Sequence, residues 1–114
     1  MASIALPSYR NYVLRANRTE GRSALLALAT AQEKFYLQNN TYTTALEDAP
    51  PDGLGMPAVT ENDFYDITID SADAAGFQAT ATAKGGQADD AHCAEFTIDQ
   101  TGTKAATSTD CWSR

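Results

Sequence analysis

Between Pro7 and Asn39 the chain carries no second proline, and its apolar residues return at helical spacing. Tyr9, Val13, Ala16, Ala24, Ala27, Leu28, Ala31 and Phe35 fall on one face at about 100° per residue. Pro7 suits a first turn, where its fixed φ is already helical. Asn39-Asn40 followed by Thr41 supplies a stop, because asparagine tolerates the left-handed conformation. The pattern predicts one helix of about 33 residues, about 50 Å long. A helix of that length outruns what the remaining chain can cover, so part of it is expected to project. Gly21 within it costs about 1 kcal/mol relative to alanine and marks either close packing or a bend.

The face opposite that stripe carries Arg15, Arg18 and Arg22, within about 60° of one another. They form either a solvated surface or a docking stripe for an acidic partner. Leu26 and Leu37 also lie away from the main stripe. Charge is segregated along the chain. Residues 1–40 hold five bases and two acids, whereas the remainder holds three bases and thirteen acids, within a net charge of -7. An acidic body argues against a general nucleic-acid binder, whose affinity rests on neutralising phosphates.

Residues 41–62 contain Pro50, Pro51, Gly53, Gly55 and Pro57 and read as an irregular connection. The period then changes to two. Tyr65, Ile67 and Ile69 alternate with polar residues; Phe77, Ala79, Ala81 and Ala83 alternate with Gln78 and threonines. Ala94, Phe96 and Ile98 make a third alternation, and Asp99-Gln100-Thr101-Gly102 turns into a short segment from Thr103 to Thr107. One long helix laid on an antiparallel meander is an α+β layout, in a single domain.

Catalytic residues are not expected. His92 is the only histidine, the serines lack a nucleophile context, and there is no glycine-rich phosphate loop. Asp89-Asp90 lacks the spacing of a calcium loop and reads as a solvated acidic turn. Asn17-Arg18-Thr19 and Asn39-Asn40-Thr41 match the N-glycosylation pattern, which is common by chance. Neither a metal nor a cofactor is expected. Cys93 and Cys111 are the only cysteines. With no histidine or cysteine at metal-ligand spacing, they suggest one disulfide and an oxidising compartment; two buried free thiols are the alternative. Closing that loop would contribute roughly 3 kcal/mol. No apolar run reaches the length of a membrane span, so the chain is expected to be soluble. Met1-Ala2-Ser3 lacks the features of a signal peptide and reads as an expression scar, residues 1–3.

The motifs also resemble a known family. IALPSY at Ile4 to Tyr9, Tyr12-Val13, RANRTE at Arg15 to Glu20 and QEKFY at Gln32 to Tyr36 resemble the helix of type IV pilins just after their membrane-embedded stretch. The likeness is closest to the PilE-like minor pilins of Gram-negative bacteria. YDITID, FQATATAK, HCAEFTIDQTGTK and DCW follow in the family's order, so the resemblance covers nearly the whole chain from Ile4.

The resemblance implies a pilin fold over 4–114, with the long helix at 4–40, the connecting loop at 41–62 and the sheet at 63–107. A C-terminal region, 93–111, would be closed by a Cys93–Cys111 disulfide. It implies that Ile4-Ala5-Leu6 is the remnant of a longer apolar helix that anchors the full-length protein in the inner membrane, before passage from the periplasm into the extracellular fibre. The implied role is structural: a minor pilin that enters the filament or primes its assembly, supporting twitching motility and adhesion. Its partners would be other pilin subunits and the assembly machinery, with Arg15, Arg18, Arg22 and Leu26 as assembly-interface candidates. Nucleic acid is not expected, because the head sets Lys84, Lys104 and Arg114 against its thirteen acids. The alternatives are a DNA-receptor pilin, a major pilin and a type II secretion pseudopilin.

Overall fold

The computed structural model describes residues 7–50, 52–108 and 111–112, with helix side chains from Tyr12 onward. The expectations for residues 1–6 lie outside the described residues. Helix α1 runs Pro7–Asn39. It stops where Asn40 takes a φ of 59° and its N–H donates to the Tyr36 carbonyl at 2.7 Å. The left-handed residue satisfies a terminal carbonyl, as a helix stop requires. The molecule extends 55 × 27 × 16 Å, and the helix accounts for most of the long dimension.

Strands β1 (Tyr65–Ala72), β2 (Phe77–Ala83), β3 (Glu95–Asp99) and β4 (Lys104–Ala106) pair antiparallel in chain order. Their alternation buries Tyr65, Ile67, Phe77, Ala79, Ala81, Phe96 and Ile98 on the face that the helix covers. The alanines of the central strand leave room there for Leu25 and Leu28 of α1, which are fully buried. Rings tie the sheet to the C-terminal segment: Tyr65 of β1 meets Phe96 of β3 edge-on at 5.8 Å, and Phe96 meets Trp112 at 5.6 Å. The connection from 41 to 62 is irregular but closed on itself, with the Leu54 N–H donating to Ala45 and the Met56 N–H to Leu46, both at 2.9 Å.

The helix lies on the sheet about one residue's rotation away from the orientation its apolar stripe predicts. Its buried line is Leu14, Arg18, Gly21, Leu25, Leu28 and Gln32, while Ala16 and Ala27 of the expected stripe are exposed. Three of those six buried positions are polar or lack a side chain, so hydrophobicity alone points to the neighbouring line. Each exception has a physical cause. Arg18 is paired, Gln32 is hydrogen-bonded, and Gly21 is where the helix meets an aromatic ring. A Cβ at Gly21 would sit 3.2 Å from three atoms of the Tyr65 ring. The glycine therefore serves close packing, with the helix axis drawn down onto β1.

Candidate assembly interface

Two different kinds of contact hold the two halves of α1. From Leu25 onward the hold is apolar, reinforced at Gln32. The Gln32 amide donates to the Thr43 carbonyl at 2.7 Å and accepts from the Thr43 N–H at 3.1 Å. That reciprocal pair folds the chain back against the helix it has just left. Both amide groups of a fully buried glutamine are satisfied, which is the condition for burying one.

The N-terminal half is held by a polar clasp from the β2–β3 loop, where two short 3₁₀ turns, Gly85–Asp89 and Ala91–Cys93, run beneath the helix. Gln87 Nε2 donates to the Leu14 carbonyl at 2.9 Å and to the Tyr65 hydroxyl at 3.1 Å, while its Oε1 accepts from Asn17 at 3.1 Å. Arg18 donates from Nε and Nη2 to both carboxylate oxygens of Asp90, at 2.7 and 2.8 Å. Both residues are only 5% exposed. Arg22, one turn further on, donates from Nη1 to the Cys111 carbonyl at 2.9 Å and from Nη2 to Thr19 at 3.1 Å.

On the other flank the Glu20 carboxylate accepts from the backbone N–H of Asn62 at 3.0 Å and from its side-chain amide at 2.6 Å. Partial burial raises the Glu20 pKa. Hydrogen bonds from Thr60 and Asn62 side chains and from the Asn62 and Phe64 backbone outweigh it and leave the group below its ordinary value.

The arginine stripe is thus divided. Arg15 is exposed, Arg22 lies half-buried on the flank, and Arg18 faces inward as part of the fold. The expectation that all three lie opposite the core is corrected by the one-residue rotation of the helix. Asp90 is corrected with it: it is a buried ion-pair partner, not a solvated turn residue. Bidentate pairing with a guanidinium, the geometry carboxylates favour, satisfies both of its oxygens in the buried site.

Among the described residues, three large apolar side chains remain uncovered: Tyr12 at 62%, Leu26 at 45% and Leu37 at 82% exposure. On a helical wheel they fall within about 40° of one another, on the side away from the sheet. Thr19, Ser23 and Thr30, all exposed, lie on the same line, and charge enters only at its edges through Arg15, Glu33 and Lys34. This is a narrow, nearly uncharged stripe along the outer face of a helix. Leu26 was legible as outward-facing from its place off the predicted stripe, whereas Tyr12 was not.

Cys93 and Cys111 are joined in a disulfide, with their Cα atoms 5.7 Å apart and both side chains fully buried. Among the described residues, the one grouping of metal-type ligands is His92 with these two cysteines. The sulfurs are bonded to each other, so neither offers a thiolate to a metal. His92 Nδ1 lies 3.4 Å from the Ser108 hydroxyl. No helix among the described residues is long and apolar enough to cross a membrane.

Residues 7–97 match the profile of a family described as "Type IV minor pilin ComP, DNA uptake sequence receptor". No curated protein sequence matches the chain. The fold is similar to the non-core minor pilin PilV of Neisseria meningitidis, with a TM-score of 0.65 and 23% identity, over 87% of this chain and 91% of that one. It is also similar to a type IV pilin from Shewanella oneidensis, with a TM-score of 0.60 and 23% identity, over 89% of this chain and 99% of that one.

Proposed function

Because this chain belongs to the type IV minor pilin family, we propose that it is a structural subunit of the type IV pilus, incorporated into the filament or priming its assembly. In that role it supports twitching motility and adhesion and performs no catalysis. The observation that carries this reading is the exposed line of Tyr12, Leu26 and Leu37 on the outer face of a helix whose other face is buried from Leu14 to Gln32. Set in a narrow, nearly uncharged stripe, these side chains offer an apolar line on which another subunit can pack. Its partners are other pilins and the assembly machinery. Its route runs from the inner membrane and periplasm to the extracellular fibre. Mass spectrometry of sheared pili tests the reading: peptides of this chain should co-purify with the fibre and vanish from a strain lacking the assembly motor.

The family's description as a DNA uptake sequence receptor favours a second reading, in which this chain meets DNA. The charge distribution weighs against it. Lys84 lies 3.3 Å from Asp66 and 3.8 Å from Asp63, and Lys104 sits 5.9 Å above the Trp112 ring. The acidic head around them repels phosphates. Fluorescence titration with double-stranded DNA at physiological salt is expected to show no sub-micromolar binding; such binding would establish the receptor reading instead.

A further inference from the structure

Both ends of the disulfide lie next to a group that grips the N-terminal half of α1. Cys93 closes the 3₁₀ turn that follows Asp90, the partner of Arg18, and the Cys93 N–H donates to the Asp90 carbonyl at 3.1 Å. Cys111 supplies its own carbonyl to Arg22 at 2.9 Å. Arg18 and Arg22 are four residues apart, adjacent turns of one helix. The disulfide therefore ties together two segments, each of which holds one of two neighbouring arginines. The half of the helix from Leu25 onward is held by other contacts. It is held by Leu25 and Leu28 against the sheet and by the Gln32–Thr43 pair.

We propose that the Cys93–Cys111 disulfide is a redox-dependent lock on the N-terminal half of α1, with Arg18 and Arg22 as the positioning residues through which it acts. In the oxidised chain the C-terminal segment is pinned where the Cys111 carbonyl meets Arg22, and the turn bearing Asp90 is pinned where it meets Arg18. The helix then leaves the sheet at a fixed angle. A dithiol reductant converts the bond to two thiols, passing two electrons and two protons to the cysteines and closing its own disulfide. The segment around residue 111 then has no covalent tie to the 3₁₀ turn, and the Cys111 carbonyl leaves Arg22. What loosens is the 14–22 segment, while the 25–35 segment stays docked. The bearing of this on filament entry rests on the pilin reading above; the lock itself does not.

Hydrogen exchange of the full chain, oxidised and then reduced with dithiothreitol, tests it. Amides of residues 14–22 are expected to exchange at least tenfold faster in the reduced form, with those of 25–35 changing less than threefold. The Cys93→Ala/Cys111→Ala variant should repeat that pattern without reductant. Arg22→Leu, with the disulfide intact, should reproduce a smaller increase confined to 14–22. Equal loss of protection in both halves, or a change confined to β3 and β4, would overturn the proposal. So would an Arg22→Leu variant with 14–22 as protected as before. Recovery of the chain from sheared pili reports separately on the pilin reading, so either can fail alone.

Discussion

Arg18 and Asp90 stand 72 residues apart in sequence and form a two-bond guanidinium–carboxylate pair beneath the helix, at 2.7 and 2.8 Å. A pair so buried gains little over an apolar packing of the same volume, but leaving one member alone strands a charge. Arg18→Ala or Asp90→Ala should therefore destabilise the fold by about 3–5 kcal/mol, measured by urea unfolding. The double replacement Arg18→Met/Asp90→Leu should recover most of that loss. Single variants within about 0.5 kcal/mol of the parent would mean that water reaches the pair.

Gly21→Ala sets two effects against each other. Helix propensity favours alanine by about 1 kcal/mol, while overpacking a tight contact costs about 1–3 kcal/mol. The Tyr65 ring at 3.2 Å cannot easily give way, because it is fully buried and its hydroxyl is held by Gln87. A net loss of about 1 kcal/mol is expected, and a larger one for Gly21→Val. With Tyr65→Leu already present, Gly21→Ala should become neutral or stabilising; a gain in the parent background would show that the ring moves aside.

Acid should weaken the fold through two carboxylates. Glu20 is held below its ordinary value of 4.5. Asp99, in the β3–β4 turn, is held below its ordinary 3.8, chiefly by the Thr101 side-chain hydrogen bond. A carboxyl lowered on folding adds stability that is complete above its unfolded value and disappears as pH falls through its folded value. The urea midpoint should accordingly fall on acidification below about pH 4.5, and the fall should be shallower in Glu20→Gln. An identical pH profile for that variant would remove Glu20 from the account.

Arg15 and Leu26 face outward, so their replacement should separate assembly from folding. Arg15→Glu and Leu26→Ser are expected to change stability by no more than about 0.5 kcal/mol. Recovery of the chain in sheared pili should nevertheless drop. Unchanged recovery would reduce both residues to solvated surface.

The sheet was readable from sequence because its signal is binary. Alternation such as Tyr65, Ile67, Ile69 identifies a strand and its buried face together, and consecutive strands leave a meander as the simplest arrangement. The C-terminal stop of the helix was equally plain, since Asn40 marks it. The rotation of the helix was not. That depends on Asp90 and Thr43 being in place to receive Arg18 and Gln32, and on a tyrosine ring that makes a glycine the best-fitting residue. None of these partners lies within a helical turn of the residue it serves. Arg18 therefore looked like surface, although the surrounding motif RANRTE was itself distinctive.

The sheet's near-neighbour pairing also dictates an order of events. The β1–β2 and β3–β4 turns are short and the β2–β3 loop spans only residues 84–94, so the meander can close early, whereas the N-terminal half of the helix waits for groups 70 to 89 residues downstream. Synthesis delivers that half first. During the wait, its inner line of Leu14, Arg18 and Gly21 offers other chains only one large apolar side chain. A fully hydrophobic line there would make a better isolated amphipathic helix and a worse nascent one, exposed to aggregation until the last residues arrive.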